Sequence, residues 1–487
     1  MSYSVAKNTS FLTTASVLQK VISFVYFTVI ARLIGVENTG AYFFALTFTS
    51  IFAVVADFGF SAVLTREMAK RPDETQRIFS TALGGKLIFG AMTYLLVVFA
   101  AYALNYPVAT RHLIYLAGAT MWFDNLHSLF YAVFRAKRNL KYESVGIVGS
   151  QFITMIVGSF ALYCGWPLIW LIGAYTIPSV LNVFYSGFFA VKKCALKMRM
   201  TLEKSSLKHY LAMAWPFAVA GIIGRLYSYS DSLIMSKMLT GKELGLWSVP
   251  YKITFAFQFI PLALSASVYP VFSSLYFGDR EVLARLFEKA WRYLFTIVFP
   301  LAAGIIGIAS PFITKVYGED YAPSVLPLRI LVIALIFGYL ALITGAFLNA
   351  VGEQKKQTML MALVLICNIV ANLILIPRHG IVGAAISALI GNVLLWSIGY
   401  LLVRRLARIR GSMLWSYCLR ALIPALAMGG IILWLSGRIS VIFAIPLGAA
   451  IYFGLLFVTG GISREIISEI KTKLSSTKQY ENPDHNA

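Results

Sequence analysis

Apolar residues run along this chain in blocks of roughly 20, the length an α-helix needs to cross a hydrocarbon layer. Six blocks fall near 11–34, 40–64, 80–104, 111–134, 142–163 and 167–191. Six more fall near 210–236, 244–275, 291–310, 325–350, 358–377 and 381–403, and a last pair near 417–436 and 439–460. The first block is too long for a signal-peptide core and is interrupted by Lys20, so it reads as a retained span. The pattern predicts an all-α polytopic membrane protein with about 14 transmembrane helices.

The short segments between blocks alternate in charge. Basic residues gather in every second segment: Arg66, Lys70, Arg71 and Arg77, then Arg135 to Lys141, Lys192 to Lys208, Arg280 to Arg292, Lys355 and Lys356, and Arg404 to Arg410. With Lys7 and the four cations of the C-terminal tail, 29 of the 42 Lys and Arg fall on one side. Seven fall on the other (Arg32, Arg111, Lys237, Lys242, Lys315, Arg378 and Arg438), and six lie within spans. Cytoplasmic loops carry the excess of basic residues, so both termini are expected in the cytoplasm. A miscounted helix would invert the bias beyond the error.

An internal repeat organises the blocks. At an offset of 205 residues, Lys20-x-x-Ser23 matches Arg225-x-x-Ser228, Arg32 matches Lys237, and Gly40 with Tyr42 match Gly245 with Trp247. Further on, Arg135-Ala136 and Lys141 match Asn349-Ala350 and Lys355. Six spans separate the copies, an even number, so both insert in the same orientation, as in the parallel repeats of secondary transporters. The expected domains are two six-helix lobes (1–191 and 209–403), a basic cytoplasmic linker (192–208), an additional helix pair (404–460) and a cytoplasmic tail (461–487).

Composition agrees. Hydrophobic residues make up 59% and charged residues 13%, about half the charged share of soluble domains. Mean hydropathy is +0.77. The net charge of +22 and the pI near 9.8 suggest nucleic acid until the cations are located; their place in the loops assigns them to topology and to anionic lipid headgroups. The four cysteines are far apart and form no C-x-x-C. No phosphate-binding Gly-rich loop, His-Glu-x-x-His or Gly-x-Ser-x-Gly occurs, and no outer loop is large enough for a catalytic domain. Asp57-Phe58-Gly59 imitates a kinase string without its context, and Asn8-Thr9-Ser10 is a sequon on the expected cytoplasmic side.

Ionisable groups within the membrane are expensive and mark candidate sites. Lys20 and Arg225 lie near the middle of the first and seventh spans and are repeat equivalents. Two such cations facing one cleft would repel unless an anion came between them, which points to a substrate bearing phosphate or carboxylate. The alternative is that each pairs with a buried acid or snorkels to an interface. Lys252 and Lys86 are further candidates for the anionic headgroup. Asp124 and His127, three apart on one helical face, and Asp231 are candidates for ion coupling. Asp57, Arg329 and Arg420 lie near span ends and read as interfacial. Pro216, Pro261 and Pro270 are expected to bend or break their helices.

These features resemble the multidrug/oligosaccharidyl-lipid/polysaccharide exporter superfamily, and within it the polysaccharide-transport branch of Wzx-type oligosaccharide flippases. The residues that carry the resemblance are VISFVYFTVIARLIGVENTGAYFFA, Asp57-Phe58-Gly59-Phe60 before Thr65-Arg66-Glu67, Phe134-Arg135-Ala136 to Tyr142, and GIVGAAISALIGN at 380–392. The resemblance implies flipping of a polyprenyl-pyrophosphate-linked oligosaccharide across a prokaryotic cytoplasmic membrane by alternating access through a cationic cavity, coupled to a proton or sodium gradient. It implies no enzyme activity, cofactor, metal or nucleic acid. Expected partners are the lipid-linked oligosaccharide, membrane lipids, and glycosyltransferases and a polymerase of the same pathway, with the chain itself a monomer. The related lipid II flippases carry basic residues on their first helix, a role that passes by position to Lys20 and Arg225. An Arg-Asp pair frequent there is absent, because Val21 follows Lys20, which turns the reading away from lipid II. The alternatives are a lipid II flippase, a cation-coupled drug exporter of the same fold, and, more remotely, a membrane glycosyltransferase or polymerase.

Overall fold

The computed structural model describes residues 2–459 apart from 202, 277, 408 and 410, with backbone only for residues 2–10, 204 and 412. The expected tail 461–487, residue 460, the Asn8-Thr9-Ser10 string, Arg408, Arg410 and the side chains of Lys7 and Lys204 therefore lie outside the described residues. In a membrane every backbone N–H and C=O must be satisfied within the element, and this chain answers with helices. In order they are α1 (Ser2–Asp57), α2 (Phe60–Lys70), α3 (Thr75–Ala103), α4 (Val108–Ala136), α5 (Lys141–Tyr163), α6 (Ile169–Cys194) and α7 (Lys204–Met238). There follow α8 (Gly241–Ala256), α9 (Phe259–Leu275), α10 (Arg280–Val316), α11 (Val325–Ala350), α12 (Gln354–Ala407), α13 (Gly411–Leu435) and α14 (Val441–Val458). No β-strand occurs among the described residues.

Among the described residues eleven helical stretches are long and apolar enough to cross a membrane. Two of them, Phe11–Lys70 and Gln354–Ala407, have 60 and 54 residues, enough for two crossings each at about 20 residues per crossing. Each bends at a glycine with positive φ, Gly35 (77°) and Gly380 (55°), a conformation that costs glycine little. At the expected boundaries 34–40 and 377–381 two helices thus meet at a sharp single-residue kink with non-helical backbone, rather than through a loop. By contrast α4, with 29 residues, falls outside the eleven because its polar residues lower its hydropathy.

Other interruptions follow the prolines unevenly. A break at Phe257–Gln258 separates α8 from α9, four residues before Pro261, where the ring collides with the i−4 carbonyl and supplies no N–H. Pro216 lies inside α7, which runs unbroken. The break after α1 has another cause: Phe58 (φ 45°) and Gly59 (φ 74°) turn the chain left-handed, and Asp57 accepts hydrogen bonds from the Ser61 hydroxyl (2.5 Å) and backbone N–H (3.4 Å).

The helices gather into two compact units. The first comprises Met1–Phe259, Val316–Leu331 and Gln354–Gly391; the second comprises Ile260–Lys315, Val332–Glu353 and Asn392–Ala487. In the first, α1 packs along α8, α5, α4 and α7, and α4 packs on α6 and α3. A buried cluster of Phe60, Leu64, Phe79, Leu129, Phe130 and Phe134 lies under α2. In the second, α13 pairs with α14 and meets α10 through small residues, Gly307 against Ile432 and Gly429 against Ala303, as membrane helices do when backbones approach.

The α1–α8 crossing is tight. A Cβ on Gly40 would meet backbone atoms of Gly241 and Gly245, and one on Gly245 would meet the Val36 carbonyl. Under the 205-residue offset Val36 maps to Gly241 and Gly40 to Gly245, so the two contacts are images of one another.

A second pair of contacts is also mirrored. Arg32 donates to the carbonyl of Val316, the last residue of α10 (2.7 Å), and Tyr317 bonds Thr28 (3.0 Å). Lys237, the offset partner of Arg32, donates to the carbonyl of Leu104 at the end of α3, and Tyr106 bonds Ser236 (2.8 Å). Each cation meets the negative end of a helix dipole.

The basic linker is fastened to the start of α3. Gln76 exchanges two hydrogen bonds with the Lys197 backbone (2.9 and 2.8 Å), and Arg77 pairs with Glu203 at 2.6 Å. Hydrogen bonds from Arg77 hold the Glu203 carboxyl below the ordinary range of glutamate.

Gly40→Ala should force the two backbones apart, since neither Gly241 nor Gly245 offers a side chain that can move. Overpacking of this kind costs about 1–3 kcal/mol, read as a lowered thermal midpoint in detergent. Gly430→Ala, whose Cβ would meet nothing within 4 Å, should leave the midpoint unchanged.

Candidate functional site

A cavity of about 550 Å³ opens within the first unit. Its walls are the second half of α1 (Thr49, Ser50, Asp57), the start of α2, the polar face of α4 (Thr120, Asp124, Asn125, Ser128), Tyr175 of α6, and Phe217, Gly221 and Arg225 of α7. The volume lies within the range of ligand pockets, roughly 300–1,000 Å³. Two acids and one basic residue line it, and their partners differ.

Arg225 is exposed and has no hydrogen bond or ion pair among the described residues. The two acids are engaged. Asp57 holds Lys86 at 2.7 Å. Asp124 accepts from the Ser179 hydroxyl (2.6 Å) and shares a hydrogen bond with His127 Nε2 (3.1 Å). Asp124 and His127 thus meet on one face, as their spacing predicts. The His127 ring also lies 4.9 Å from that of Tyr131, whose hydroxyl bonds Asn182.

Lys86 does not reach the cavity. Its side chain is 0% exposed, and Nζ faces five oxygens: Asp57 Oδ1 (2.7 Å), Ser61 Oγ (3.1 Å), Asn125 O (3.0 Å), Asn125 Oδ1 (2.8 Å) and Ser128 Oγ (2.6 Å). An ammonium has three protons to donate, so its valence is saturated inside the protein. The expectation that Lys86 meets a substrate headgroup is corrected accordingly. Asp57, read from the sequence as interfacial, is instead its counter-ion.

Lys20 and Lys252 come together along the α1–α8 seam, both half-buried. The Lys20 ammonium lies 5.6 Å from the Phe255 ring, and the Lys252 ammonium lies 5.3 Å from the Phe27 ring. Phe27 is two turns beyond Lys20 on α1, and Phe255 is one turn beyond Lys252 on α8, so each helix offers the other a cation and a ring. Such contacts contribute about 0.5–2 kcal/mol and leave the ammonium protons available. Under the 205-residue offset the Lys20–Phe255 pair maps to Arg225 and Ser50, and both of those line the cavity.

Asp231 is 8% exposed and accepts at Oδ1 from the backbone (2.6 Å) and hydroxyl (3.2 Å) of Ser232. No basic side chain pairs with it among the described residues. Next along α7, Ser230 donates to Asn368 Oδ1 (3.1 Å), which also accepts from Asn372 (3.0 Å), while Asn368 donates to the Ser387 carbonyl (3.2 Å). Asn372 Oδ1 is buried without a donor. Asn368 and Asn372 escaped the sequence reading, although two amides four apart in an apolar span are a visible signal. Among the described residues no group of three or more His, Cys, Asp or Glu is placed to hold a metal.

Lys86→Met should leave Asp57 as an uncompensated buried carboxylate, costing about 3–5 kcal/mol. Size-exclusion profiles and thermal midpoints should drop sharply for that variant and recover in Asp57→Asn/Lys86→Met.

Residues 5–276 match the family model described as polysaccharide biosynthesis protein. The capsular polysaccharide biosynthesis protein CapF of Staphylococcus aureus is 21% identical over 399 residues, covering 79% of this chain and 96% of that one. The lipid II flippase MurJ of Bacillus subtilis is 20% identical, covering 93% and 95%. Among solved structures, a lipid II flippase MurJ in an inward closed conformation superposes with a TM-score of 0.77 at 17% identity, covering 94% of this chain and 99% of that one. An inward-facing multidrug resistance transporter of the MATE family gives 0.68 at 15%, covering 80% and 95%. These neighbours share the fold, and the relatives are transporters and polysaccharide-pathway proteins rather than enzymes. The chain belongs to the polysaccharide biosynthesis protein family, the polysaccharide-transport branch of the multidrug/oligosaccharidyl-lipid/polysaccharide exporter superfamily.

Proposed function

We propose that this protein flips a polyprenyl-pyrophosphate-linked oligosaccharide across the cytoplasmic membrane by alternating access. The observation that carries the reading is Arg225: a cation exposed in a cavity, with no hydrogen bond or ion pair among the described residues, while the lining acids Asp57 and Asp124 have partners of their own. An exposed guanidinium with no ion pair is a place for an anion, and the pyrophosphate of a lipid-linked sugar supplies one. Arg225 binds it, Lys20 and Lys252 bind it from the α1–α8 seam, and the sugars occupy the polar face of α4. A drug exporter for cations would use a carboxylate there; Asp57 is neutralised by Lys86, and Asp124 is tied to Ser179 and His127. A lipid II flippase remains the closest chemical alternative, supported by the fold it shares.

The two doubled helical stretches, the nine other apolar stretches and α4 support fourteen spans in two repeat lobes, 1–191 and 209–403, with the helix pair beyond them. The mirrored α1–α8 contacts support the same two-fold arrangement. With the termini in the cytoplasm, Gly40, Gly245, Arg32 and Lys237 lie at the outer end, so the glycine crossing and the two cation-to-helix-end contacts keep that end shut. Release outward requires these to part. Asp231 with Asn368 and Asn372, and Asp124 with His127, are the groups through which a sodium or proton gradient drives the cycle. Glycosyltransferases and a polymerase supply and consume the cargo, and the transporter acts as a monomer.

Reconstituted protein should move a fluorescent polyprenyl-pyrophosphate disaccharide between leaflets, read by loss of protection from an impermeant quencher. A charge-assisted contact contributes about 1.5–3 kcal/mol, so Arg225→Glu and Lys20→Glu should each slow flipping at least tenfold, while Arg225→Lys retains most activity. Wild-type rates in both charge-reversed variants refute the anionic-cargo reading. Asp231→Asn should still bind the labelled cargo but no longer respond to an imposed sodium or proton gradient.

A further inference from the structure

The second unit holds a basic notch of about 10 Å³ that the flipping reading does not use; it is too small to enclose a phosphate, so a headgroup would meet its arginines at the mouth. It is lined by Arg292 and Thr296 of α10, Tyr417, Arg420 and Ala421 of α13, and Leu456 of α14, and none of these helices contributes to the 550 Å³ cavity. Arg292 and Thr296 share one face of α10, and Tyr417 and Arg420 share one face of α13. The Arg292 guanidinium lies 4.8 Å from the Tyr417 ring centroid. The Thr296 carbonyl accepts from the Tyr452 hydroxyl (3.0 Å), which fastens α14 to the same wall.

Charge and depth define what fits. Among the described residues no acid lines the pocket, and α13 and α14 contain none. On α10, Glu281 reaches Arg285 (3.4 Å) and Glu288 lies one turn before Arg292. Even with Glu288 counted against Arg292, one positive charge remains, because Arg420 is exposed with no hydrogen bond or ion pair among the described residues. Leu456 stands two residues from the end of α14, so the pocket lies about 3 Å from that helix end. Trp415 (65% exposed) and Tyr417 stand within five residues of Arg420 on α13, and Tyr293 follows Arg292 on α10, the aromatic types found where acyl chains give way to headgroups. Beyond Arg420, Leu419, Ile423 and Leu426 of α13 and Phe453 and Phe457 of α14 present an exposed apolar wall.

We propose that Arg292 and Arg420 bind the phosphate of an anionic phospholipid in the basic, cytoplasmic leaflet. Arginine suits the role because its planar fork grips phosphate oxygens in pairs. The exposed apolar wall beside the pocket receives the acyl chains, which a free phosphate ion lacks. The lipid neutralises the excess charge and clamps α13 and α14 to α10. The leaflet rests on the orientation proposed above; the site does not, and its test uses no glycan, so failure of the flipping reading leaves it standing.

The test uses a photoactivatable phosphatidylglycerol in vesicles of phosphatidylcholine containing the full-length protein. Crosslinked peptides should map to residues 411–424 or 289–300, and unlabelled phosphatidylglycerol should compete while phosphatidylethanolamine and millimolar inorganic phosphate should not. Arg292→Gln/Arg420→Gln should lower that labelling at least tenfold, and Arg292→Lys/Arg420→Lys should keep more than half of it. Label falling elsewhere, unchanged labelling in the glutamine variant, or displacement by inorganic phosphate as effective as by lipid overturns the proposal. Because the mapping is made on the unaltered chain, the proposal stays falsifiable even where the glutamine variant does not fold.

Discussion

An ionised group inside a membrane protein needs oxygen or nitrogen partners from the protein itself, and the Lys86 ammonium meets that constraint with five oxygens drawn from three helices. The arrangement fixes more than one side chain. Asp57 and Ser61 flank the left-handed turn at Phe58–Gly59, and Asn125 and Ser128 stand on α4, so the ammonium holds the break between α1 and α2 against the polar helix. Asn125 adds a hydrogen bond to the Ala56 carbonyl (2.8 Å), one of the acceptors the break leaves free. The first wall of the cavity depends on this contact. Replacing it with an apolar core would stabilise the helices by other means but would not hold the turn or keep a polar surface beside it.

The same constraint separates the cations into two kinds. Lys86 is saturated and structural. Arg225 shows its guanidinium to the cavity without a partner, and Lys20 and Lys252 rest on aromatic faces that hold the charge in place without taking its protons. Under the offset of 205 residues Lys20 and Phe255, which meet, correspond to Arg225 and Ser50, which both line the cavity. A ring occupies one and a hydroxyl the other, so the repeat is preserved in position and broken in chemistry. That is what a substrate without two-fold symmetry, a headgroup at one end and sugars at the other, requires of a two-fold scaffold.

The helices were legible because apolar length is written locally, residue after residue, and loop charge adds an independent register. Kinks at Gly35 and Gly380 left the same trace as loops would, a glycine between two apolar blocks, so only coordinates distinguish them. Asp57 and Lys86 are 29 residues apart, and nothing in their spacing tells that the turn at Gly59 swings one toward the other. Hence Lys86 read as free and Asp57 as interfacial. Asp124 and His127 were legible because a helix brings i and i+3 together without help from tertiary packing. Arg292 and Arg420 are 128 residues apart on different helices, and their meeting is again a fact of packing.

The α1–α8 crossing and the two cation-to-helix-end joints rest on contacts that differ in kind from those that saturate Lys86. Gly40, Gly241, Gly245 and Val36 meet backbone to backbone, with no side chains to interlock, and Arg32 and Lys237 each reach the carbonyl end of a helix. A contact between a charge and a helix dipole contributes about 0.3–1 kcal/mol, and close backbone packing in lipid relies on shape rather than on expelled water. Such joints part at modest cost and re-form in register. The buried ion pair, by contrast, costs several kcal/mol to open and gives nothing back until it closes. A transporter that alternates between faces places the first kind of contact where it must open and the second where it must not, and the distribution of contacts in this chain follows that division.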